Sequence, residues 1–212
     1  MDIPKTYIDY SLCLVTDRAL MTAPSLESAV EQAIAGGITM VQLREKDAPA
    51  AETYALAVKL KTICDRTRIP LIINDRADIA LAVGASGIHV GQSDLPAAAA
   101  RRIIGSNAIL GVSATTLDEA IQAERDGADY IGVGAMIPTH SKADATLVSM
   151  DTLAAIRSAV SIPVMIIGGL HKDNLPQFAN MGVNGAAVIS AILAQPDIRK
   201  AAAELCEICE RL

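Results

Sequence analysis

The sequence has no tryptophan and a single phenylalanine among its 212 residues, so large aromatic rings cannot fill its core. Yet 51% of the residues are apolar, enough for a sizeable core and too many for a disordered chain. The apolar residues are mainly Ala, Val, Ile and Leu. Small and branched side chains suit the tightly filled interior of a closed parallel barrel.

The sequence also lacks an excess of positive charge and any long apolar run. Its formal net charge is −6, and no basic cluster extends beyond a few positions, which disfavours nucleic acid and anionic membranes as partners. No apolar stretch approaches the roughly 18 residues of a membrane-spanning helix. Residues 1–5 lack the basic and apolar blocks of a signal peptide. We therefore expect a cytoplasmic protein, and a homo-oligomer is compatible with this sequence.

Cysteine is sparse, with four residues. Cys206 and Cys209 form a C-x-x-C pair, a spacing that occurs in metal and redox sites. The pair lies in a helical pattern, where it shares a face with Leu205 and Ile208. No second pair of ligands accompanies it, so packing in the core is the favoured interpretation.

Short apolar runs alternate with amphipathic segments eight times. The predicted strands are 12–16, 40–44, 71–74, 87–90, 108–112, 130–133, 164–167 and 185–189. The predicted helices are 25–36, 50–66, 77–83, 95–104, 117–126, 148–159, 174–182 and 196–211. This repeated βα unit predicts an α/β fold, a TIM (β/α)8 barrel, as a single domain over residues 1–212. The rival is an open doubly wound sheet, but the first loop, 16–18, has no glycine.

Charged and hydroxyl side chains follow the predicted strands one after another. Because the carboxyl ends of all strands in a parallel barrel share one edge, these side chains should converge on one mouth. Gly168 and Gly169 follow strand seven, and Ser190 opens a short helical turn, 190–193, after strand eight. Loops seven and eight with a short helix form the usual phosphate site of such barrels. The alternative is that the glycines merely turn the chain.

Two carboxylates, Asp75 and Asp94, follow strands three and four and should be neighbours. Mg²⁺ takes one or two carboxylates and leaves room for phosphate oxygens. The alternative is that each aspartate caps the helix that follows it. No His/Cys set supports zinc, and His89 is interpreted as a hydrogen-bonded residue rather than a base.

Cations are predicted at the same mouth. Arg44 and Lys46 follow strand two, and Lys142 lies in the hydroxyl-rich loop 138–142 after strand six. Cations beside two carboxylates indicate a polyphosphate bridged by Mg²⁺. The sixth loop, the longest connection, is the natural lid.

Taken in order, these motifs resemble the thiamine phosphate synthase family. The matching runs are Val41-Gln42-Leu43-Arg44-Glu45-Lys46, Ile73-Asn74-Asp75-Arg76, Gly87-Ile88-His89-Val90-Gly91-Gln92-Ser93-Asp94, Gly111-Val112-Ser113, Pro138-Thr139-His140-Ser141-Lys142, Ile167-Gly168-Gly169 and Ile189-Ser190. The similarity extends from about residue 12 to residue 193, and the ordered combination is specific. Thr115 stands where the family often has His, and Ile137 where it often has Phe.

The resemblance implies a TIM-barrel transferase that uses Mg²⁺. Such an enzyme joins an aminopyrimidine-methyl diphosphate to a thiazole-ethyl phosphate and releases pyrophosphate. It also implies a role for each matching residue. The pyrimidine diphosphate would be held by Gln42, Arg44, Lys46 and Asn74, with Ser113 and Lys142 as its catalytic contacts. Mg²⁺ would be bound by Asp75 and Asp94. The thiazole phosphate would be bound by Thr139, Ser141, Gly169, Ile189 and Ser190.

Three other functions are compatible with parts of this pattern. A thiazole tautomerase is a related barrel, but it has no need of a diphosphate clamp. A phosphosugar isomerase or epimerase would need an acid/base pair, for which Asp75 and His89 are candidates. A non-catalytic sensor of phosphorylated ligands would have no need of an intact metal site.

Overall fold

The structure is a computed structural model that describes residues 8–139 and 146–212. In that part of the chain, eight strands alternate with helices, as the apolar pattern predicted. The strands are β1 Leu12–Val15, β2 Met40–Leu43, β3 Leu71–Asn74, β4 Gly87–Val90, β5 Ile109–Ala114, β6 Tyr130–Val133, β7 Val164–Ile167 and β8 Gly185–Val188. The helices are α1 Leu26–Ala35, α2 Ala50–Thr67, α3 Ala77–Val83, α4 Ala97–Ile104, α5 Leu117–Arg125, α6 Met150–Ala159, α7 Ser190–Leu193 and α8 Ile198–Cys209, with a 3-10 turn at Leu175–Phe178.

The strands form one closed barrel in sequence order. Every strand is parallel to both of its neighbours, and β8 returns to β1 by pairing Ala186 with Leu12. The predicted TIM barrel is confirmed, and the open sheet is excluded. The carboxyl ends of the strands therefore surround one mouth.

The core has an inner and an outer layer. Inside the barrel, Cys13, Met40, Ile72 and Met165 pack together, while a larger cluster fills the space between strands and helices. The single phenylalanine, Phe178, is fully buried. Among residues 8–139 and 146–212, no helix has both the length and the apolar character needed to cross a bilayer.

The C-x-x-C pair is part of the outer packing. Cys209 is buried, and the Sγ of Cys206 lies 3.3 Å from the carbonyl oxygen of Gly37. All four cysteines are free thiols. In the described residues, no group of three or more His, Cys, Asp or Glu could hold a metal ion. The prediction of packing is confirmed.

Local chemistry sets the helix boundaries. Ser25 caps α1 by accepting from the Ser28 N–H, as predicted, and Thr116 caps α5 in a capping box with Glu119. The helix predicted over 174–182 is wrong, since only the 3-10 turn forms there. Asn180 and Gly182 have left-handed φ values of 66° and 71°, so an α-helix cannot continue through these positions.

Candidate active site

A cavity of about 400 Å³ opens at the mouth of the barrel. Every predicted site residue in the described part of the chain lines this cavity. They are Gln42, Arg44, Lys46, Asn74, Asp75, Asp94, Ser113, Thr139, Gly169, Ile189 and Ser190. Ser141 and Lys142 lie outside the described residues. Side chains far apart in the sequence thus meet at one mouth, as the strand order predicted.

The two predicted carboxylates are in contact. Asp75 has a left-handed φ of 61°, and its N–H donates to the His89 carbonyl oxygen at 2.8 Å, which fixes the turn after β3. Asp94 accepts from the Gly91 N–H at 2.8 Å through Oδ2. Neither caps a helix, because the N-cap positions of α3 and α4 are Arg76 and Pro96, without side-chain cap bonds. The capping alternative is therefore wrong.

The raised pKa of Asp75 shows that placing these two carboxylates together is electrostatically unfavourable. The pKa of its carboxyl is raised from 3.8 to about 6, first by partial burial and then by a hydrogen bond and charge repulsion from Asp94. Lys46 and Arg44 lower this pKa, so both cations act on the same carboxyl. Two adjacent carboxylates in a cleft need a proton or a cation between them.

The chemistry of this pair fits Mg²⁺. The ion binds hard oxygen ligands and is often held by one or two carboxylates, with water and phosphate oxygens completing its octahedron. Asp75 and Asp94 supply two such oxygens beside Arg44 and Lys46. The described residues hold no third acidic ligand at this position, so water and phosphate oxygens would complete the sphere.

The loop that carries Arg44 and Lys46 is locked to the loop after β1. The Arg44 N–H donates to Oγ1 of the fully buried Thr16 at 3.0 Å, and its guanidinium lies 3.8 Å from Asp17. Backbone bonding continues from the Thr16 N–H to the Gln42 carbonyl oxygen at 2.9 Å. These hydrogen bonds hold the backbone of the loop that carries the two cations.

Glu45, between the two cations, is directed away from them. Arg18 donates to both of its carboxylate oxygens, at 2.7–3.0 Å, and to Glu52 at 2.6 Å. The Glu45 side chain is only 7% exposed. Its negative charge is neutralised outside the cavity.

The opposite wall of the cavity is formed by the loops after β7 and β8. Gly168 and Gly169 have positive φ values of 97° and 64°. A Cβ on Gly168 would overlap Ala135, and one on Gly169 would overlap Ile137, so only glycine fits under the sixth loop. Asn174 donates to the Gly169 carbonyl oxygen at 2.9 Å and holds this turn. Next to it, α7 begins at Ser190, as predicted for a phosphate site.

Sequence reasoning missed the floor of the cavity. Cys13, Tyr130 and Met165 reach it from inside the barrel. His89 was identified, and its predicted hydrogen bonding is confirmed: its ring nitrogens contact Tyr130 and Ser113 at 2.9 Å each. The available signal was the alternation of β6, which turns both Tyr130 and Gly132 toward the cavity.

Comparison with known proteins agrees with this geometry. A family model described as thiamine monophosphate synthase matches residues 12–192. Thiamine-phosphate synthases of Ruminiclostridium cellulolyticum and Clostridium beijerinckii are 58% and 56% identical to the chain, over 96% and 95% of it and 97% and 96% of their own lengths. A solved structure, the thiamine phosphate pyrophosphorylase of Pyrococcus furiosus, superposes with a TM-score of 0.88 at 39% identity, covering 96% of each chain. The predicted resemblance, and with it the assignment to a transferase enzyme, is confirmed: the chain belongs to the thiamine monophosphate synthase family.

Proposed function

We propose that residues 1–212 form one catalytic domain that makes thiamine phosphate. Its substrates are 4-amino-2-methyl-5-(diphosphooxymethyl)pyrimidine and 4-methyl-5-(2-phosphoethyl)thiazole, and pyrophosphate is released. The observation that carries this proposal is the carboxylate pair Asp75–Asp94, which shares a cavity with Arg44, Lys46 and the other predicted site residues that the structure describes. The family membership of the chain supports it.

Each wall of the cavity has its own substrate in this proposal. The pyrimidine diphosphate is bound by Gln42, Arg44, Lys46 and Asn74, together with Ser113 and Lys142, to which we assign catalytic contacts. The thiazole phosphate is bound by Thr139, Ser141, Gly169, Ile189 and Ser190. The tight turn at Gly168 and Gly169 supports the second assignment, because it lets backbone N–H groups approach an anion closely.

The reaction needs stabilisation of a leaving group rather than a protein nucleophile. The C–O bond of the pyrimidinylmethyl diphosphate breaks and its electron pair leaves with pyrophosphate; the thiazole nitrogen then forms the new C–N bond. Mg²⁺, held by Asp75 and Asp94, would neutralise charge on the diphosphate. Arg44 and Lys46 stabilise the same developing charge from a loop whose backbone Thr16 holds in place.

The test is a coupling assay with both substrates, run with Mg²⁺ and with EDTA. We expect thiamine phosphate and an equal amount of pyrophosphate with Mg²⁺, and loss of both products with EDTA. A tautomerase would change the thiazole phosphate without consuming the pyrimidine diphosphate. A sensor would bind substrates without turnover. Either outcome, at saturating substrates, would refute the proposed function.

The setting of the reaction follows from the same proposal. The substrates are small phosphorylated molecules, and neither nucleic acid nor a membrane is involved. We place the enzyme in the cytoplasm, where thiols such as Cys13, Cys64, Cys206 and Cys209 stay reduced.

A further inference from the structure

A chain of hydrogen bonds crosses the interior of the barrel and ends at the cavity. The Tyr130 hydroxyl is bonded to the side chain of Gln42 and lies 2.9 Å from Nδ1 of His89. On the other side of the imidazole, Nε2 lies 2.9 Å from Oγ of Ser113. All four side chains line the cavity, but Tyr130 and His89 are only 2% and 8% exposed, whereas Ser113 is half-buried. A buried polar chain therefore connects the barrel interior to a predicted substrate contact.

Two glycines make room for this chain. In the strand register, Gly111 pairs with His89 on one side and with Tyr130 on the other. A Cβ at Gly111 would overlap the Tyr130 ring and Nδ1 of His89, so the tyrosine and the histidine meet across the space that a side chain would fill. A Cβ at Gly132 would lie 3.2 Å from Cε1 of His89 and tighten the contact from the mouth side. The backbone is thus shaped around one orientation of the imidazole.

The direction of the hydrogen bonds follows from counting protons. The Gln42 amide donates to the Tyr130 oxygen, a bond that lowers the pKa of Tyr130, although burial keeps that pKa well above 10 and the hydroxyl protonated. The single Tyr130 proton is then available to Nδ1 of His89. A neutral imidazole that accepts at Nδ1 carries its proton on Nε2 and donates it to Oγ of Ser113. The proton of the Ser113 hydroxyl is left for an acceptor in the cavity.

The opposite tautomer of His89 would change Ser113 from a hydrogen-bond donor to a hydrogen-bond acceptor at the cavity wall. With the proton on Nδ1, His89 would accept from Ser113 at Nε2, and the serine would present lone pairs to the cavity. Lone pairs would repel the oxygens of a diphosphate, whereas a hydroxyl proton binds them. The identity of one buried tautomer therefore decides whether Ser113 attracts or repels the substrate.

We propose that Tyr130 and His89 are positioning residues that hold Ser113 as a hydrogen-bond donor to the pyrimidine diphosphate. The proposal rests on the function proposed above for its substrate and on the contacts of Tyr130, His89 and Ser113 for its mechanism. His89 exchanges no proton with the substrate; it fixes which atom of Ser113 faces the cavity. Gln42 sets the direction of the chain from its far end.

The tautomer is measured directly by long-range ¹H–¹⁵N NMR on the free protein with ¹⁵N-labelled histidine. The chain has three histidines, and the His89→Gln variant assigns the signal of His89. We expect the Nε2–H tautomer in the wild-type protein at neutral pH, and population of the Nδ1–H form in Tyr130→Phe. A wild-type His89 that is Nδ1–H or doubly protonated would overturn the proposal, as would a tautomer that does not respond to Tyr130→Phe.

Kinetics tests whether Tyr130 acts through Ser113. Tyr130→Phe should lower kcat/KM for the pyrimidine diphosphate about tenfold, the loss of roughly one hydrogen bond, with little change in KM for the thiazole. In a Ser113→Ala background, the same substitution should cause less than a twofold loss. A tenfold loss in both backgrounds would mean that Tyr130 acts independently of Ser113, through Gln42 or through the packing of the barrel, and would refute the positioning role.

Tyr10 provides a matched control. Its ring packs against Tyr130 at a centroid distance of 5.2 Å, but it does not line the cavity. Tyr10→Phe should leave both the tautomer and kcat/KM unchanged. Because the spectrum is recorded without substrate, it tests the tautomer even if no thiamine phosphate forms, so failure of this inference and failure of the proposed function are separate results.

Discussion

The two ends of the barrel treat charged groups in opposite ways. At the base, where the strands begin, Arg101 donates to the carbonyl oxygens of Gly105, Ala108 and Gly127 and pairs with Asp129 at 2.5 Å. At the mouth, the Arg44 guanidinium has a looser contact, 3.8 Å from Asp17.

The acidic groups differ in the same way. Asp129 at the base also accepts from the Leu110 N–H at 2.8 Å, so it joins two strands. Asp75 at the mouth is placed against Asp94, a charge of its own sign. Groups that satisfy one another stabilise the fold, whereas groups held in mutual repulsion are ready to bind something that the chain does not contain. The base is built for stability and the mouth for binding.

The largest expected effect is the loss of turnover on removing a carboxylate from the mouth. Asp94→Ala should lower kcat at least about 1000-fold, roughly 4 kcal/mol of transition-state stabilisation, because the proposed metal site would lose one of its two protein ligands. The melting temperature should change little. Asp94→Asn is the matched variant, since it keeps an acceptor for the Gly91 N–H. Wild-type activity in either variant, measured in the coupling assay, would refute the metal assignment.

At the base the expected effect is on stability instead. Arg101→Met keeps much of the apolar stem and removes the guanidinium, which leaves three carbonyl oxygens and Asp129 without this donor. We expect a loss of about 3 kcal/mol in the free energy of unfolding, measured by urea denaturation. The kcat of the folded protein should stay within twofold.

Arg44→Met at the mouth is the counterpart to this base variant. It should show the reverse pattern, with a large loss of kcat/KM and a change of less than about 1 kcal/mol in stability. If Arg101→Met impaired kcat as strongly as Arg44→Met, the claim that the base of the barrel serves stability and the mouth serves binding would be wrong.

The contrast between the ends also explains what the sequence could predict. The mouth was predictable because parallel strands bring their carboxyl ends to one edge, so Asp75 and Asp94 are neighbours whatever the detailed register. The hydrogen bonds through Tyr130 were not predictable from the sequence. They depend on a strand register in which Gly111 pairs with both His89 and Tyr130, and the closure of the barrel sets that register, not the local sequence pattern. The local signals against the helix predicted over 174–182 were Asn180 and Gly182, residue types that adopt a left-handed φ more readily than most.

A smaller effect is expected from Arg18. It lies near the mouth, but it is paired closely with an acidic side chain, as Arg101 is at the base. Arg18 neutralises Glu45 next to Arg44 and Lys46. Arg18→Ala should free Glu45 to compete with the diphosphate for these cations and raise KM for the pyrimidine substrate about tenfold, or about 1.4 kcal/mol.

A double variant separates this competition from a general loosening of the loop. Arg18→Ala/Glu45→Ala should recover most of the lost affinity, because the competing carboxylate is gone. Arg66→Ala, which removes an exposed pair with Glu31 at 2.9 Å, is the control and should leave KM unchanged. A double variant as poor as Arg18→Ala would show that the salt bridge only shapes the loop.

The smallest expected effect is a pH dependence of stability in metal-free protein. The pKa of Asp75 is raised from 3.8 in the unfolded chain to about 6 in the folded one, so the folded protein binds this proton more tightly. The cost of holding the charged carboxyl partly buried beside Asp94 is fully present well above pH 6 and is relieved as the pH falls through 6 toward 4. Carboxyls with lowered pKa values, such as Glu124, act with the opposite sign, but mainly below about pH 4.5.

In EDTA, the wild-type protein should therefore be more stable at pH 5 than at pH 7.5. We expect a difference of about 1 kcal/mol, roughly 2–4 °C in melting temperature, because Asp75 is partly open to water that screens the repulsion. Asp75→Asn should remove the difference and raise the melting temperature at pH 7.5. The comparison of wild type with this variant cancels the contributions of the other carboxyls. An Asp75→Asn variant that keeps the wild-type pH profile would show that the mouth carries no such electrostatic cost.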